Sequence, residues 1–343
     1  MISDKIKVLH IISKLNVGGA ERVVVDQVNI CHEQGIDVSL MSLLDAGELS
    51  EQVNKDVKQY FLNRNKKLSL KSIYRLYKVV SKFDVIHVHT RHTLKYVILS
   101  KLFFPYKFPK LVYQDHTGVL VNSKLLKFIF TLINAYVSVS VKNVKWAAET
   151  MKISNVHLLP NIVRRVNVSG KGNKEGIVMV GNIRPEKNYP FIFKLAAGLK
   201  SKIDIYGKFI NAKYQEEIEK LKPESVKIID GVSDIQSVLG KYEMALHCAP
   251  VETGPLVLIE YLSQELPFIT YNTGQVVEQI KEDLPEFIVN SFEIDDWINA
   301  IENLKKMMTE DPDGLIAKMR KAFNNNYSEK KYFEKCITIY NSL

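Results

Sequence analysis

The sequence contains no apolar run of the roughly 18–20 residues that a membrane span requires, and only three of its 343 residues are cysteine. Cys31, Cys248 and Cys336 lie far apart and form no C-x-x-C. That argues against a structural zinc and for a reducing compartment. G-x-G-x-x-G is missing, and no acidic residue closes a second strand at the dinucleotide spacing, so nicotinamide binding is not supported. Helix-turn-helix, RNA-recognition and zinc-finger patterns are missing too, so no nucleic-acid partner is expected. No D-x-D stands at a strand end: Asp295 and Asp296 are adjacent and late, and Asp311 and Asp313 flank Pro312. A signal peptide is not expected either, because IKVLHII begins almost at once and reads as a strand.

What is present is an ordinary globular composition, 46% apolar and 25% charged. The chain is longer than the usual single core of about 250–300 residues, so two domains are expected. Residues 1–165 hold 25 Lys and Arg against 12 Asp and Glu, a net of +13; residues 166–343 hold 22 against 26, a net of −4. The basic half carries aromatics where it is basic, in KQYFLNRNKK, KSIYRLYKVVSKF, KLFFPYKFPK and KLLKFIF. Such stretches read as docking sites for an anionic membrane surface or an acidic ligand, or as basic helices with solvated faces.

Along the chain, strand and helix patterns alternate. KVLHIIS (Lys7–Ser13) is a dense apolar strand, followed by a turn at Gly18 and Gly19 and an amphipathic helix. IDVSLMSL, DVIHVHT, KLVYQDHTG and AYVSVS read as further strands, with helices at Leu70–Phe83, Leu94–Phe104 and VKNVKWAAETM. This alternation predicts a doubly wound parallel sheet, whose ligands bind at the carboxyl ends of the strands. His87, His89 and His92 gather around one strand end, but no carboxylate completes a ligand set and no metal is expected. His116 stands alone at the end of another strand. The Pro-, Asn-, Gly- and Ser-rich stretch Leu158–Lys174 reads as a linker. Beyond it come a strand at Ile177–Gly181, a basic loop with Arg184 and Lys187, a strand ending at Gly207, a helix at Ala212–Leu221 and a turn at Gly231–Asp234. Helices at Ile294–Met308 and Pro312–Asn324 follow, and the closing YSEKKYFEKCITIYNSL places Tyr332, Phe333, Cys336, Ile337 and Tyr340 on one helical stripe.

The stretch richest in chemistry is ALHCAPVETGPLVLIEYLSQELPFITYNTGQ, Ala245–Gln275. A strand feeds a polar turn, a helix opens at Pro255, and a second strand runs Leu266–Tyr271. A turn entering a helix N-terminus beside parallel strands suits an anion. Two carboxylates, Glu252 and Glu260, bracket it. Read as eight helical residues they lie about 12 Å apart, too far for an acid/base pair, which sits about 5–9.5 Å apart. Two separate contacts on one large ligand fit better.

These residues resemble the E-x(7)-E motif of retaining GT-B glycosyltransferases of family four, whose members read E-G-x-P-x(4)-E before a strand and a small-residue turn. Thr253 stands for the first Gly, and Glu265 for the usual small residue before the strand. Farther upstream, G-N-I-R-P-E-K-N matches the family's G-R-L-x-x-x-K-(G/N) at Lys187 and Asn188, with Asn182 at the Arg position and Arg184 two residues later. LLPN resembles the family's P-N-G segment, with Ile162 for the Gly. The resemblance covers essentially the whole chain and is specific for fold and reaction class, not for sugar or acceptor. It implies an α/β protein of two Rossmann-like doubly wound domains facing a cleft: 1–162 on the acceptor side, 163–326 binding the nucleotide-sugar, and a C-terminal helix, 327–343, crossing back to the first domain.

The resemblance further implies a metal-independent, retaining transferase with no cofactor. It would take a nucleotide-sugar, expected to be a UDP-sugar, and move a hexosyl or N-acetylhexosaminyl group by front-face attack. The acceptor would be lipid-linked or a saccharide, in surface or capsular polysaccharide synthesis at the cytoplasmic face of the membrane. Lys187 and Arg184 would stabilise the leaving diphosphate, and Glu252 and His116 would hold the sugar. Glu260 would bind the ribose, while Gly18, Gly19, Asn182, Gly207, Gly231, Thr253, Gly254, Pro255, Leu256 and Val257 would line the donor. Two other classes remain open: a nucleotide-sugar 2-epimerase, which needs no acceptor, and a non-catalytic sugar- or polyanion-binding protein on the same scaffold.

Overall fold

The computed structural model describes residues 6–66, 69–167, 174–199, 201–232 and 234–343. The chain divides into two compact units, Met1–Ile162 with Glu329–Leu343, and Val163–Ser328. Of the expected linker, residues 159–167 carry no helix or strand, and residues 168–173 lie outside the described residues, as does Ser233 in the expected Gly231–Asp234 turn.

Unit 1 is built on seven parallel strands: β1 (Lys7–Ile12), β2 (Asp37–Ser42), β3 (Lys58–Phe61), β4 (Val85–His89), β5 (Lys110–Asp115), β6 (Ala135–Ser138) and β7 (Val156–Leu158). They lie in the order β3-β2-β1-β4-β5-β6-β7. The order in which successive strands are added reverses between β1 and β4, which is where a doubly wound sheet takes its ligand. β4 and β6 are buried along their whole length, as expected of strands covered by helices on both faces. The helices that cover them bury amphipathic stripes. Leu70–Val80 is capped by Ser69, whose side chain accepts the Ser72 N–H, and it buries Ile73, Leu76 and Val80.

Several elements escaped the sequence pattern, among them β7, whose last residue, Leu158, is the first of the expected linker. KQYF forms β3, a half-exposed edge strand with no apolar run to announce it. KLLKFIF forms a short helix, Lys124–Phe130, started by the Ser123 side chain accepting the Leu126 N–H. The closing helix, Glu329–Asn341, belongs to unit 1 and buries Tyr332, Cys336, Ile339 and Tyr340. Phe333 and Ile337, expected on that buried stripe, are only half-buried.

Unit 2 repeats the plan with β8 (Ile177–Val180), β9 (Ile203–Tyr206), β10 (Val226–Ile229), β11 (Met244–His247), β12 (Phe268–Tyr271) and β13 (Ile288–Val289). Their order is β10-β9-β8-β11-β12-β13, all parallel. The switch point here lies between β8 and β11. The second strand of the central motif is shorter than expected, starting at Phe268.

Glu265, which stands for the usual small residue before the strand, holds a structural post. It ends the helix Leu256–Ser263 in a left-handed conformation, φ 55°. Its carboxylate accepts two hydrogen bonds from Arg320, at 2.7 and 3.0 Å, and one from Arg165 at 2.8 Å. Those charged contacts offset the cost of a side chain in that conformation, about 1–2 kcal/mol.

Candidate active site

In unit 2 the carboxyl ends of the paired parallel strands β8 and β11 lie side by side. After β8 the chain runs through Gly181 and Asn182 to a single 3₁₀ turn, Pro185–Lys187, closed by Asn188 in a left-handed conformation, φ 58°, which asparagine tolerates better than most residues. That turn aims Lys187 inward, and it is 9% exposed. Gly207, at the end of β9, has to be glycine: a Cβ there would lie 2.0 Å from the Gly181 carbonyl oxygen.

After β11 the chain forms the 248–255 turn. Glu252 anchors it by donating its N–H to Thr273 Oγ1 at 3.1 Å, and Gln275 N–H bonds the Thr253 carbonyl at 2.8 Å. Gly274, at φ +84°, lets the two turns press together, with Pro255 and Glu252 at 3.0–3.3 Å from where its Cβ would be. Lys187 Nζ and Glu252 Oε1 form an ion pair, and His247 Nε2 lies 3.4 Å from the same oxygen. Burial alone would raise the Glu252 carboxyl, but His247 and the Lys187 charge outweigh it and hold it down to about 2. His247 is pushed down by burial and stays neutral. The sequence reading missed it, though its place as the last residue of β11 was a usable signal.

The helix after the turn spans Leu256–Ser263, with Pro255 as its N-cap rather than its first residue. Glu252 therefore lies in the turn, not in the helix, and the eight-step helical estimate of its distance from Glu260 does not apply. Glu260 is buried, 5% exposed, and Val257 and Pro255 are buried beside half-buried Thr253, Gly254 and Leu256. Tyr261 fixes the helix on the sheet by accepting the Val180 N–H at 3.1 Å. The structure thus brings Lys187, His247 and Glu252 together. Arg184 is exposed, its Nε 3.9 Å from Glu186. Gly231 lies on an exposed turn, φ +87°, with open space where a Cβ would sit.

In unit 1, parallel register sets His10 of β1 beside His87 of β4, and His89 follows two residues on along the same face. His10, His87 and His89 are fully buried, their ring nitrogens within 4.8 Å of one another. His92 does not join them: it lies on the next helix, near Arg64 at 3.2 Å. His10 takes its place, a residue the sequence reading passed over. The His10 and His87 rings lie within 30° and 16° of parallel to their neighbours His87 and His89. His10 Nδ1 and His89 Nε2, 2.9 Å apart, are engaged with each other. His116 follows directly on Asp115, which is tied to Arg91 at 2.9 Å, Tyr136 at 3.2 Å and Thr117 at 2.8 Å. Gly18 precedes the helix Gly19–Glu33, and the Glu21 side chain folds back so close that a Cβ on Gly18 would meet its Oε2 at 2.4 Å. A carboxyl group therefore already occupies this helix N-terminus, its pKa raised by burial.

Residues 164–330 match the family model "Glycosyl transferases group 1", and residues 17–165 match "Glycosyltransferase Family 4". A relative from Escherichia coli, a UDP-Gal:alpha-D-GlcNAc-diphosphoundecaprenol alpha-1,3-galactosyltransferase, is 23% identical over 87% of both chains. Among solved structures, a glycosyltransferase from Rickettsia africae superposes with a TM-score of 0.78 at 18% identity, covering 99% of this chain and 98% of that one. HepE from Anabaena, in complex with UDP, superposes at 0.76 and 14% identity over 98% and 100%. The two parallel sheets are those of the GT-B fold.

Proposed function

The chain is a GT-B glycosyltransferase of the glycosyl transferases group 1, and from that premise we propose that it transfers a hexosyl or N-acetylhexosaminyl group from a UDP-sugar to a lipid-linked saccharide, with retention and without a metal or resident cofactor. The observation that carries the reading is the Lys187–Glu252 pair, set at the carboxyl ends of β8 and β11 and next to a helix N-terminus with no side-chain cap. A buried cation beside backbone N–H groups suits a diphosphate. Donor binding exchanges the ion pair for two new partners: Lys187 turns to the phosphate, and Glu252 accepts from a sugar hydroxyl. As the bond from the anomeric carbon to the diphosphate oxygen breaks, charge grows on that oxygen and Lys187 stabilises it, the largest contribution available to such a step. The acceptor hydroxyl oxygen bonds to the same face of that carbon, and its proton passes to the departing diphosphate. Glu260 holds the ribose, and His116 meets the transferring sugar.

The choice of a UDP-sugar and a lipid-linked acceptor draws on the E. coli relative, whose name specifies both. Unit 1 supports it. No helix among the described residues is long and apolar enough to cross a membrane. The helix Lys124–Phe130, however, exposes Leu125 and Phe128, each next to an exposed lysine, Lys124 and Lys127, and Leu102, Phe103 and Tyr106 are exposed as well. Apolar side chains among lysines suit peripheral docking at an anionic cytoplasmic leaflet, the setting for surface or capsular polysaccharide synthesis. The test is purified protein with UDP-galactose, UDP-glucose or UDP-N-acetylglucosamine and a short-chain polyprenyl-diphosphate saccharide, with the anomeric configuration of the product read by NMR. A retained product formed only with acceptor supports the reading. Interconversion of the donor without acceptor would make the chain an epimerase, and binding without turnover a non-catalytic protein.

A further inference from the structure

The buried histidines of unit 1 are joined end to end. Tyr340, on the closing helix, has its hydroxyl 3.0 Å from His87 Nδ1 and 3.3 Å from His10 Nε2. His10 Nδ1 lies 2.9 Å from His89 Nε2, and His89 Nδ1 lies 3.0 Å from His116 Nε2. His10, His87 and His89 are fully buried, Tyr340 is 4% exposed, and only His116, half-buried past the end of β5, reaches the surface of the unit. We propose that Tyr340, His10 and His89 are positioning residues that dictate which ring nitrogen of His116 carries hydrogen. The proposal rests on the reading in which His116 meets the transferring sugar.

Proton counting makes the constraint definite. Burial pushes His10 down to about 3 and His116 to about 4, and holds His87 and His89 well below their ordinary value. Each ring is therefore neutral at physiological pH, with one N–H and one lone pair. Both links between histidines in the row join an Nδ1 to an Nε2. If His10 donates from Nδ1, His89 has to accept at Nε2 and donate from Nδ1, and His116 has to accept at Nε2 and keep its hydrogen on Nδ1. The opposite choice reverses all three together. His10, His89 and His116 thus share one tautomer, whichever it is.

Tyr340 sits where the sense is chosen. Its hydroxyl has one hydrogen and two imidazoles in reach. Donating to His10 Nε2 leaves its oxygen to accept from His87 Nδ1–H, and donating to His87 leaves it to accept from His10. In the first sense His116 presents an N–H outward from Nδ1; in the second it presents a lone pair. A donor and an acceptor are not interchangeable toward a sugar hydroxyl that already has other partners. The partner of one ring nitrogen decides the state of the other, and here that partner is a row running back through β4 and β1 to the last helix.

The experiment uses the full chain with 15N-labelled histidine, in long-range proton–nitrogen spectra at neutral pH, where N–H and lone-pair ring nitrogens resonate far apart. The expected wild-type result is one and the same neutral tautomer at His10, His89 and His116. In Tyr340→Phe, the two nitrogens of His116, three hydrogen bonds away, move toward averaged positions, and kcat falls about 5-fold, the worth of one hydrogen bond, with donor KM unchanged. A Tyr340 that merely packs would leave the His116 signals where they were, and that result overturns the proposal. So does a wild-type spectrum in which the three rings hold different tautomers, a test that stands even if Tyr340→Phe fails to fold. If the spectra behave as expected while His116→Gln transfers sugar at the wild-type rate, the row of hydrogen bonds stands and the sugar contact assigned to His116 falls.

Discussion

Replacing Lys187 by methionine keeps the aliphatic stem and removes the charge. Glu252 then loses one of its two partners, the charged one, while remaining in a site where only 14% of its side chain is exposed. The wild-type carboxyl is held from an ordinary 4.5 down to about 2, a difference worth about 3 kcal/mol at about 1.4 kcal/mol per tenfold. That stabilisation is fully present above pH 4.5 and is lost as pH falls toward 2. His247, 3.4 Å away, and Lys187 share it, so losing Lys187 forfeits about half, on the order of 2 kcal/mol. For a unit of this size that is about 4–8 °C in the melting temperature at neutral pH. The gap between wild type and Lys187→Met should be widest at pH 6–7 and should close as pH falls from 4.5 toward 2, because both proteins then carry a protonated Glu252. Thermal melts across that range measure it. Loss of the cation should also lower kcat by about 100-fold or more and abolish the stabilisation expected of the wild type in UDP. A melting difference as large at pH 3 as at pH 7 would refute the electrostatic argument, and transfer at the wild-type rate would place the phosphate site elsewhere.

Four further outcomes are expected. Glu260→Gln should raise the donor KM with kcat little changed, whereas Glu252→Gln should lower kcat by about 100-fold; steady-state kinetics showing the reverse would exchange the two roles. Activity in EDTA should equal activity without it, and abolition by EDTA with rescue by manganese would sink the metal-free reading. Binding to anionic vesicles should exceed binding to neutral ones and weaken with salt, and equal binding to both would return the Leu125–Phe128 face to ordinary solvated surface. Glu265→Gln should lower stability by about 1–2 kcal/mol, between the worth of an exposed and of a buried pair, because Arg165 and Arg320 are each about half exposed; an unchanged denaturation midpoint would show the triad to be idle.

Much of the fold and part of the site could be read from local pattern, and the line between what could and could not has a physical cause. Lys187 and Glu252 both announce themselves by what stands next to them, a strand end before each and a turn or helix after. Their contact with each other was not visible, because it depends on β8 and β11 being neighbours although they are far apart in sequence. His10 shows the same limit more sharply. Nothing around it in KVLHII differs from an ordinary buried strand, and it lies 79 residues from His89. Only the pairing of β1 with β4 turns an apolar strand with one histidine into the start of a hydrogen-bonded row. His92 was grouped wrongly for the converse reason: three residues of separation in sequence meant little once the chain left the strand for a helix. Glu265 escaped because its conformation is a property of the helix end while its partners come from residues 165 and 320. In a doubly wound sheet the strands that flank the switch point are joined by long crossovers. The chemistry that gathers there is therefore assembled from residues whose sequence neighbours say least about it. A row such as Tyr340–His10–His89–His116 draws on the first strand, the fourth, the end of the fifth and the last helix, so removing the closing helix should disturb His116 through that row.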